Sequence, residues 1–179
     1  MADQRLIYTE ELVGANHGTK ADTLNRLALI DHANDGKHIF RGCHLRLSAD
    51  QAIGNAALTA VTWDTEIEDT DAFHSTVSNT SRITIPAGIT AIRIGGHSVW
   101  TANATGRRYT QIKKNGVQFD GNPVDNRVAS DTGDITIWSP KLIVTAGDYF
   151  ELYVYQSSGG NLSVLGGAGF CWFAIEEAH

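Results

Sequence analysis

The apolar and polar positions of this chain repeat with two different periods, and the change falls near residue 39. Before it, Leu24, Leu27 and Ile30 recur at helical spacing within residues 19–30, with Asp22 or Thr23 placed to cap the start. That predicted helix is short, and an isolated helix of this length is marginal in water, so it needs something to pack on. Asp35-Gly36 reads as a turn that ends the leader. From residue 39 onward the period is two, the mark of strands. Candidate strands run over 43–48, 57–63, 82–85, 91–100, 107–114, 135–138, 141–145, 148–156 and 170–176. Pro86-Ala87-Gly88 stops one of them, and Asn115-Gly116, a strong two-residue hairpin signal, turns 107–114 into a return over 117–119. Many short strands separated by Gly, Asn and Asp turns predict an all-β fold, an antiparallel sandwich or jelly roll.

Two of these strands carry more information. In 148–156, Phe150, Leu152 and Val154 fill one face while Tyr149, Tyr153 and Tyr155 lie on the other. In 170–176, Cys171, Phe173 and Ile175 alternate with Phe170, Trp172 and Ala174, so both faces are apolar. A strand with one solvated face should alternate cleanly between apolar and polar. Strands that are apolar or aromatic on both sides predict a second burial surface. A subunit interface would supply one, because Tyr and Trp are favoured there; the leader folded over this face would supply another. Tyr149, Tyr153, Tyr155, Phe170 and Trp172 are the candidate interface residues.

With 179 residues, 42% of them hydrophobic, the chain suits one domain with a short appendage, divided as 1–38 and 39–179. A formal charge of −6 argues against non-specific nucleic-acid binding, which needs a clustered positive field. No apolar run approaches the roughly 20 residues of a membrane span, so no membrane insertion is expected. The start, Met1-Ala2-Asp3-Gln4-Arg5, is too polar for a signal peptide. Synthesis in a cytosol, where disulfides are rare, is the expectation. Cys43 and Cys171 lack the paired spacing of a zinc site and read as small apolar strand residues.

Candidate chemistry is sparse. Asp64, Glu66, Glu68, Asp69 and Asp71 offer the oxygen donors that calcium takes, without the spacing or central Gly of an EF-hand, and read as a solvated connecting loop. The histidines (His17, His32, His38, His44, His74, His97 and His179) include no i, i+4 pair with a Glu of the zinc-protease kind. Gly159-Gly160 and Gly166-Gly167-Ala168-Gly169 do not open helices, and no G-x-S-x-G elbow is present. The residues nominate no catalytic group, metal site or cofactor. Arg107, Arg108, Lys113 and Lys114 form a small basic cluster around one hairpin, a candidate surface for an anionic partner or else a solvated strand face.

The stretch Leu142-Ile143-Val144-Thr145-Ala146-Gly147-Asp148-Tyr149-Phe150-Glu151-Leu152 resembles the late hairpin of the TNF and complement-one-q superfamily. There a hydrophobic strand meets Ala-Gly-Asp or a similar turn, then an alternating strand, a Gly-rich loop and a closing aromatic strand. Here the loop is Ser157-Ser158-Gly159-Gly160-Asn161 and the closing strand is Gly169-Phe170-Cys171-Trp172-Phe173-Ala174-Ile175. Leu45-Arg46-Leu47-Ser48-Ala49-Asp50-Gln51 is similar to the family's opening strand, and Thr84-Ile85-Pro86-Ala87-Gly88 to the segment entering its central strand. The likeness covers most of residues 43–177. Residues 63–71 and Lys114-Asn115-Gly116 are similar to versions of the domain found in phage and bacterial proteins.

In the leader, Glu10-Glu11-Leu12-Val13-Gly14-Ala15-Asn16-His17 and Thr23-Leu24-Asn25-Arg26-Leu27 resemble the N-terminal segment of phage fibre-like and capsid-decorating proteins. The resemblance implies a non-enzymatic structural virion protein of a tailed phage: a TNF-like homotrimer, of the short-fibre or capsid-decoration kind. The leader would anchor it to other capsid or tail proteins, with Asn16, His17, Leu24, Leu27 and Ile30 as anchor candidates. Its head would meet the host surface, where a glycan is the candidate partner of the basic cluster. It would reside in the virion, assembled in the bacterial host cytoplasm. The alternative is a free trimeric carbohydrate-binding module.

Overall fold

The computed structural model describes residues 40–128 and 133–178. The expected helix over 19–30, the Asp35-Gly36 turn and the five anchor candidates lie outside the described residues. What is described contains strands and no helix. In chain order these are β1 (Gly42–Arg46), β2 (Gln51–Ile53), β3 (Thr59–Ala60), β4 (Thr65–Asp69), β5 (Arg82–Thr84) and β6 (Ala91–Val99). Then come β7 (Arg107–Lys114), β8 (Val124–Val128), β9 (Asp134–Trp138), β10 (Leu142–Ile143), β11 (Tyr149–Gln156), β12 (Leu162–Val164) and β13 (Trp172–Glu177).

Two antiparallel sheets form the sandwich, as the alternation predicts. The first runs β10-β6-β13-β1-β4, with β9 beside the other half of β6. The second runs β3-β11-β7-β8, with β5 beside the other half of β11. A small pair, β2 with β12, stands apart. Because the side-chain period is two, pairing register decides which residues meet the core. Opposite Ile94 in β6 is Ile175 in β13, which is opposite Cys43 in β1; the next inward row is Gly96, Phe173 and Leu45. From the second sheet, Leu152 faces Ile112 across the strand pair and Phe150 faces Ile83. All of these apart from Gly96 belong to one buried apolar cluster. Trp63 stacks on Phe173 with ring centroids 5.7 Å apart. Polar groups caught in the layer are paired: the hydroxyls of Ser98 and Thr110, one from each sheet, lie 2.7 Å apart.

Turn chemistry follows the residues. Asn115 and Gly116 take φ of 52° and 79°, and Lys114 and Val117 exchange backbone hydrogen bonds of 3.0 Å in each direction. That is the two-residue hairpin turn an Asn-Gly pair favours. Gly147, at φ 90°, occupies the third position of a turn that the Asp148 N–H closes onto the Thr145 carbonyl, where a type II turn requires positive φ. The two turns are tied together, since the Asn115 amide donates to Asp148 and accepts from the Tyr149 N–H.

Several expectations need correction. The return over 117–119 is a single bridge, Lys114 with Val117, and not a strand. The chain leaves the sheet because Phe119 turns onto the core, edge-on to Phe150 at 5.8 Å, and β7 finds its partner later in β8. The acidic run expected to be a loop is instead largely an edge strand, β4, paired with β1 across a bulge. The strand expected over 57–63 shrinks to β3, and β2, β8 and β12 have no counterpart among the strands that alternation predicts.

Phe173 is fully buried at the centre of this layer, so Phe173→Ala should lower stability by about 3–5 kcal/mol in urea denaturation. Val77, 91% exposed, is the control, and Val77→Ala should stay within about 0.5 kcal/mol of wild type.

Candidate functional site

Both outer faces of the sandwich carry aromatic residues, and their chemistry differs. On the first sheet, register lines up Glu68, His44, Ala174, Gly95 and Trp138 in one row across β4, β1, β13, β6 and β9. The neighbouring row is Arg46, Trp172, His97 and Thr136. Trp138 lies flat across Gly95, in the space that a β-carbon there would occupy. Trp172 sits at the centre: its ring centroid is 5.5 Å from that of Trp138, 5.9 Å from His97 in a stacked arrangement, and 6.3 Å from His44 edge-on. The His97 ring is held by Thr136 at 2.7 Å and by Asp134 at 3.3 Å. Beside this cluster runs a mainly apolar groove of about 350 Å³, walled by Trp138, Trp172, Ala174 and Phe40. Trp138 is 51% exposed and Phe40 49%, which is high for such large apolar side chains.

On the second sheet the outer residues of β7 and β11 are Tyr109, Gln111 and Lys113 against Tyr155, Tyr153 and Glu151. Here Tyr109, Tyr149 and Tyr153 each have a polar neighbour. The Arg82 guanidinium lies 4.0 Å from the Tyr149 ring centre and the Lys113 ammonium 4.5 Å from that of Tyr153. Tyr153 donates to Glu151, which also accepts from the Ser81 hydroxyl at 2.6 Å. Tyr109 donates to Gln111 at 2.7 Å. Burial pushes the Tyr109 phenol above its ordinary range, and burial together with the Glu151 charge does the same for Tyr153, so both remain protonated donors. A shallow basin of about 560 Å³ opens between Tyr109, Tyr155, Lys113 and the 116–118 segment.

The structure therefore separates the five residues expected to share an interface. Trp172 lies on the outer face of the first sheet, Tyr149, Tyr153 and Tyr155 on that of the second, and Phe170 precedes β13 in a loop. Alternation identifies the faces of a strand but not the sheet it joins. Trp138 is absent from the sequence-based set, although a Trp among the polar positions of 135–138 is a visible signal.

The basic cluster also divides by strand parity. Arg107 and Lys113 are on the outer face of β7, while Arg108 and Lys114 point inward. Arg108 is fully buried and cannot be a surface-binding residue: its guanidinium donates to the carbonyls of Asn103, Thr105 and Arg107 and lies 5.7 Å from the Trp100 ring centre. Lys114 is held by Asp148 at 2.7 Å.

Four of the acidic residues around β4, Asp64, Glu66, Asp69 and Asp71, have protein partners. Asp71 accepts a bidentate pair from Arg41, at 2.9 and 3.1 Å. Asp69 accepts the Phe73 and His74 N–H groups, Glu66 meets the buried His74 ring at 2.9 Å, and Asp64 binds Ser48. Among the described residues no cluster of His, Cys, Asp and Glu is arranged to hold a metal ion. Both cysteines are free and buried. Cys43 stands opposite Ile175, four residues from Cys171, which puts the two roughly 13 Å apart along the strand, too far to bridge. Burial pushes the Cys171 thiol up to about 11 and that of Cys43 higher still, so neither is a ready nucleophile.

No protein-family model matches the chain, and none of the curated proteins does. Solved structures do. Murine APRIL matches with a TM-score of 0.54 at 10% identity, over 78% of this chain and 100% of its own. The Eiger TNF of S. frugiperda matches at 0.51 and 12%, over 78% and 93%. The PRD1 vertex protein P5 matches at 0.54 and 14%, over 77% and 96%. At these identities the likeness is one of fold: the chain folds as a TNF-like β jelly roll.

The acidic partners generate a pH dependence. The Arg41 guanidinium holds the Asp71 carboxyl below its ordinary value of 3.8; for Asp148, burial works upward but the bonds from Lys114, Asn115 and the Thr145 N–H outweigh it. A carboxylate with a lowered folded pKa stabilises above its unfolded value and loses that contribution as pH falls through the folded one. The melting temperature of the wild type should therefore fall as pH drops below about 4, and Asp71→Asn should show a lower plateau with a shallower acid decline. Parallel curves for the two proteins would rule out Asp71 as a source of the acid sensitivity.

Proposed function

We propose that this chain is a non-enzymatic structural protein of a tailed-phage virion that works as a homotrimer. Its jelly roll assembles through the outer face of the first sheet, and residues 1–38 attach the trimer to other capsid or tail proteins. The observation that carries self-association is the Trp138–Trp172 face, where two indoles and Phe40 line an apolar groove on a chain whose other outer face is polar. Apolar aromatic surface of this kind is stabilised by removal from water, and neighbouring copies packed about a threefold axis would supply that burial. Tyr149 and Tyr153, capped by Arg82, Lys113 and Glu151, and Tyr155, on the same face of the second sheet, leave the interface set in this reading; Trp172 stays in it and Trp138 joins it.

The virion assignment draws on the leader's resemblance, and the likeness in fold to a vertex protein supports it. A location in the virion and an anchor built on Asn16, His17, Leu24, Leu27 and Ile30 belong to this same reading. The second reading, a free trimeric carbohydrate-binding module, is favoured by one feature, the tyrosine-lined basin on the second sheet.

Light scattering on the full chain should give three times the 19.4 kDa chain mass. Trp138→Glu, which places a charge on the half-exposed indole position, should give a folded monomer, because a buried unpaired charge opposes association. A wild-type monomer would refute the self-association. Deleting 1–38 should abolish incorporation into particles of the parent phage while leaving a soluble trimer; a truncated protein that still joins particles would sink the anchor and leave the trimer standing.

A further inference from the structure

We infer that the basin on the outer face of the second sheet is a binding site for one residue of an acidic polysaccharide, a hexose bearing a carboxylate. This deepens the surface-contact part of the function proposed above and rests on it for biological setting, though not for its chemistry.

Three features of the basin carry the inference. The first is a pair of aromatic platforms. Tyr155 and Tyr109 are direct cross-strand partners, half-buried on the solvent side of the sheet, and Leu58 extends the apolar row at one end. Pyranose rings present a face of C–H groups, and a flat, partly desolvated aromatic surface accepts such a face while the tyrosine hydroxyls remain able to bond at the rim.

The second is Gln111. It is only 2% exposed, yet its bonding is one-sided. Its carbonyl oxygen accepts from Tyr109 at 2.7 Å and from the Gln118 amide at 3.2 Å, whereas its own amide nitrogen donates to nothing among the described residues. A primary amide has two N–H donors, and those of Gln111 are free for an acceptor at the basin surface. Gln111 lines the basin, so an incoming hydroxyl or ring oxygen would meet those donors, while Tyr109 and Gln118 fix the orientation of the amide. Donors aimed at a ligand and held rigidly by protein partners are what selects a hydroxylated molecule over a merely apolar one.

The third is charge. Lys113 is the single charged residue lining the basin, and no carboxylate lines it. Glu151, its cross-strand partner, is occupied by Ser81, Arg82 and Tyr153. The Lys113 ammonium lies over the Tyr153 ring, in reach of the basin, with no ion pair to a carboxylate among the described residues. An anionic substituent on the sugar would complete it. A volume of about 560 Å³ falls within the roughly 300–1,000 Å³ of small-molecule sites, but the basin is shallow, so a single site is weak and several copies on one assembly would act through avidity.

The test uses the full chain and calorimetric titration with a uronic-acid trisaccharide, a neutral glucose trisaccharide and inorganic phosphate. The acidic sugar should bind with millimolar affinity, the neutral one about tenfold more weakly, and phosphate not measurably. Lys113→Gln should abolish the preference for the acidic sugar, and Tyr155→Ala should weaken both sugars by about tenfold. Val117, 63% exposed at the rim, provides a variant that leaves the core untouched: Val117→Asp should repel the acidic sugar selectively. No binding of the acidic sugar by folded wild type, phosphate binding as tight as the sugar, or undiminished binding in all three variants would each overturn the inference. A trimer that joins particles but ignores the sugar would overturn this inference alone. A monomer that binds the sugar would overturn the proposed assembly and support the basin.

Discussion

Strand β6 carries two glycines in succession, and the sandwich closes around them. Side chains alternate along a strand, so the absent β-carbons of Gly95 and Gly96 open space on opposite faces. Inward, Leu152 of the facing sheet fills the gap; a β-carbon on Gly96 would stand 2.7 Å from its Cδ1. Outward, Trp138 lies down over Gly95 and comes within reach of Trp172. Cores are packed as densely as organic crystals, so a side chain at Gly96 would push the two sheets apart or force Leu152 off its rotamer. One dipeptide thus sets the spacing of the layers and lays out the aromatic cluster on the surface above them. The cost is the backbone entropy of two glycines inside a strand, offset by pairing β6 along both edges with β13, β9 and β10.

How much of this is legible in the sequence depends on whether the signal is local. The extents of β7 and β11 are readable to within a residue, because Arg107–Lys114 and Tyr149–Gln156 are long and buried on one face. The Asn115-Gly116 turn is readable because positive φ at two successive positions is a property of those residues themselves. β4 is not. Its residues, Thr65–Asp69, are mostly acidic and sit at a sheet edge, where carboxylates satisfy loop N–H groups and a histidine instead of filling a core. Acidic edge residues also discourage further strand pairing, so the feature that hides the strand is one that protects the edge. β2 and β12 escape for another reason: each is three residues long and is defined by the other, 109 residues away at the Leu162–Ile53 pair. No window on the sequence holds both.

Aromatic residues on both faces of a strand carry, in the sequence, a single message: a second surface is buried. The two sheets give it two meanings. Around Trp172 the neighbours are another indole, two imidazoles and small residues, a set whose apolar area gains most from a partner of like character. Around Tyr153 the neighbours are an ammonium over the ring and a carboxylate on the hydroxyl, and a guanidinium covers the ring of Tyr149. The first arrangement suits burial against a partner, as proposed above, and the second suits a ligand that hydrogen-bonds. Composition cannot separate these, since Tyr and Trp count alike in a hydrophobic alternation; pairing register can, because it decides which polar groups stand next to each ring.

The same parity sorts the basic residues of β7. Arg107, Arg108, Lys113 and Lys114 are close in sequence and would make one positive patch if they shared a face. Strand geometry sends Arg108 inward, and there the fork of its guanidinium gathers the carbonyls of Asn103, Thr105 and Arg107, holding the turn that leads into β7. Burial lowers its affinity for the proton, yet guanidinium is basic enough to remain charged, which a lysine in that place need not be. Lys114, also inward-directed, ties β7 to the turn before β11 through Asp148. What remains for the outer face is Lys113 with Arg107 at the strand's far end. One ammonium beside two tyrosines and an amide is a local charge and not an extended positive field, which is the scale at which the inferred site would choose between a neutral and an acidic sugar. Specificity at this surface therefore follows from the removal of charge by burial as much as from its presence.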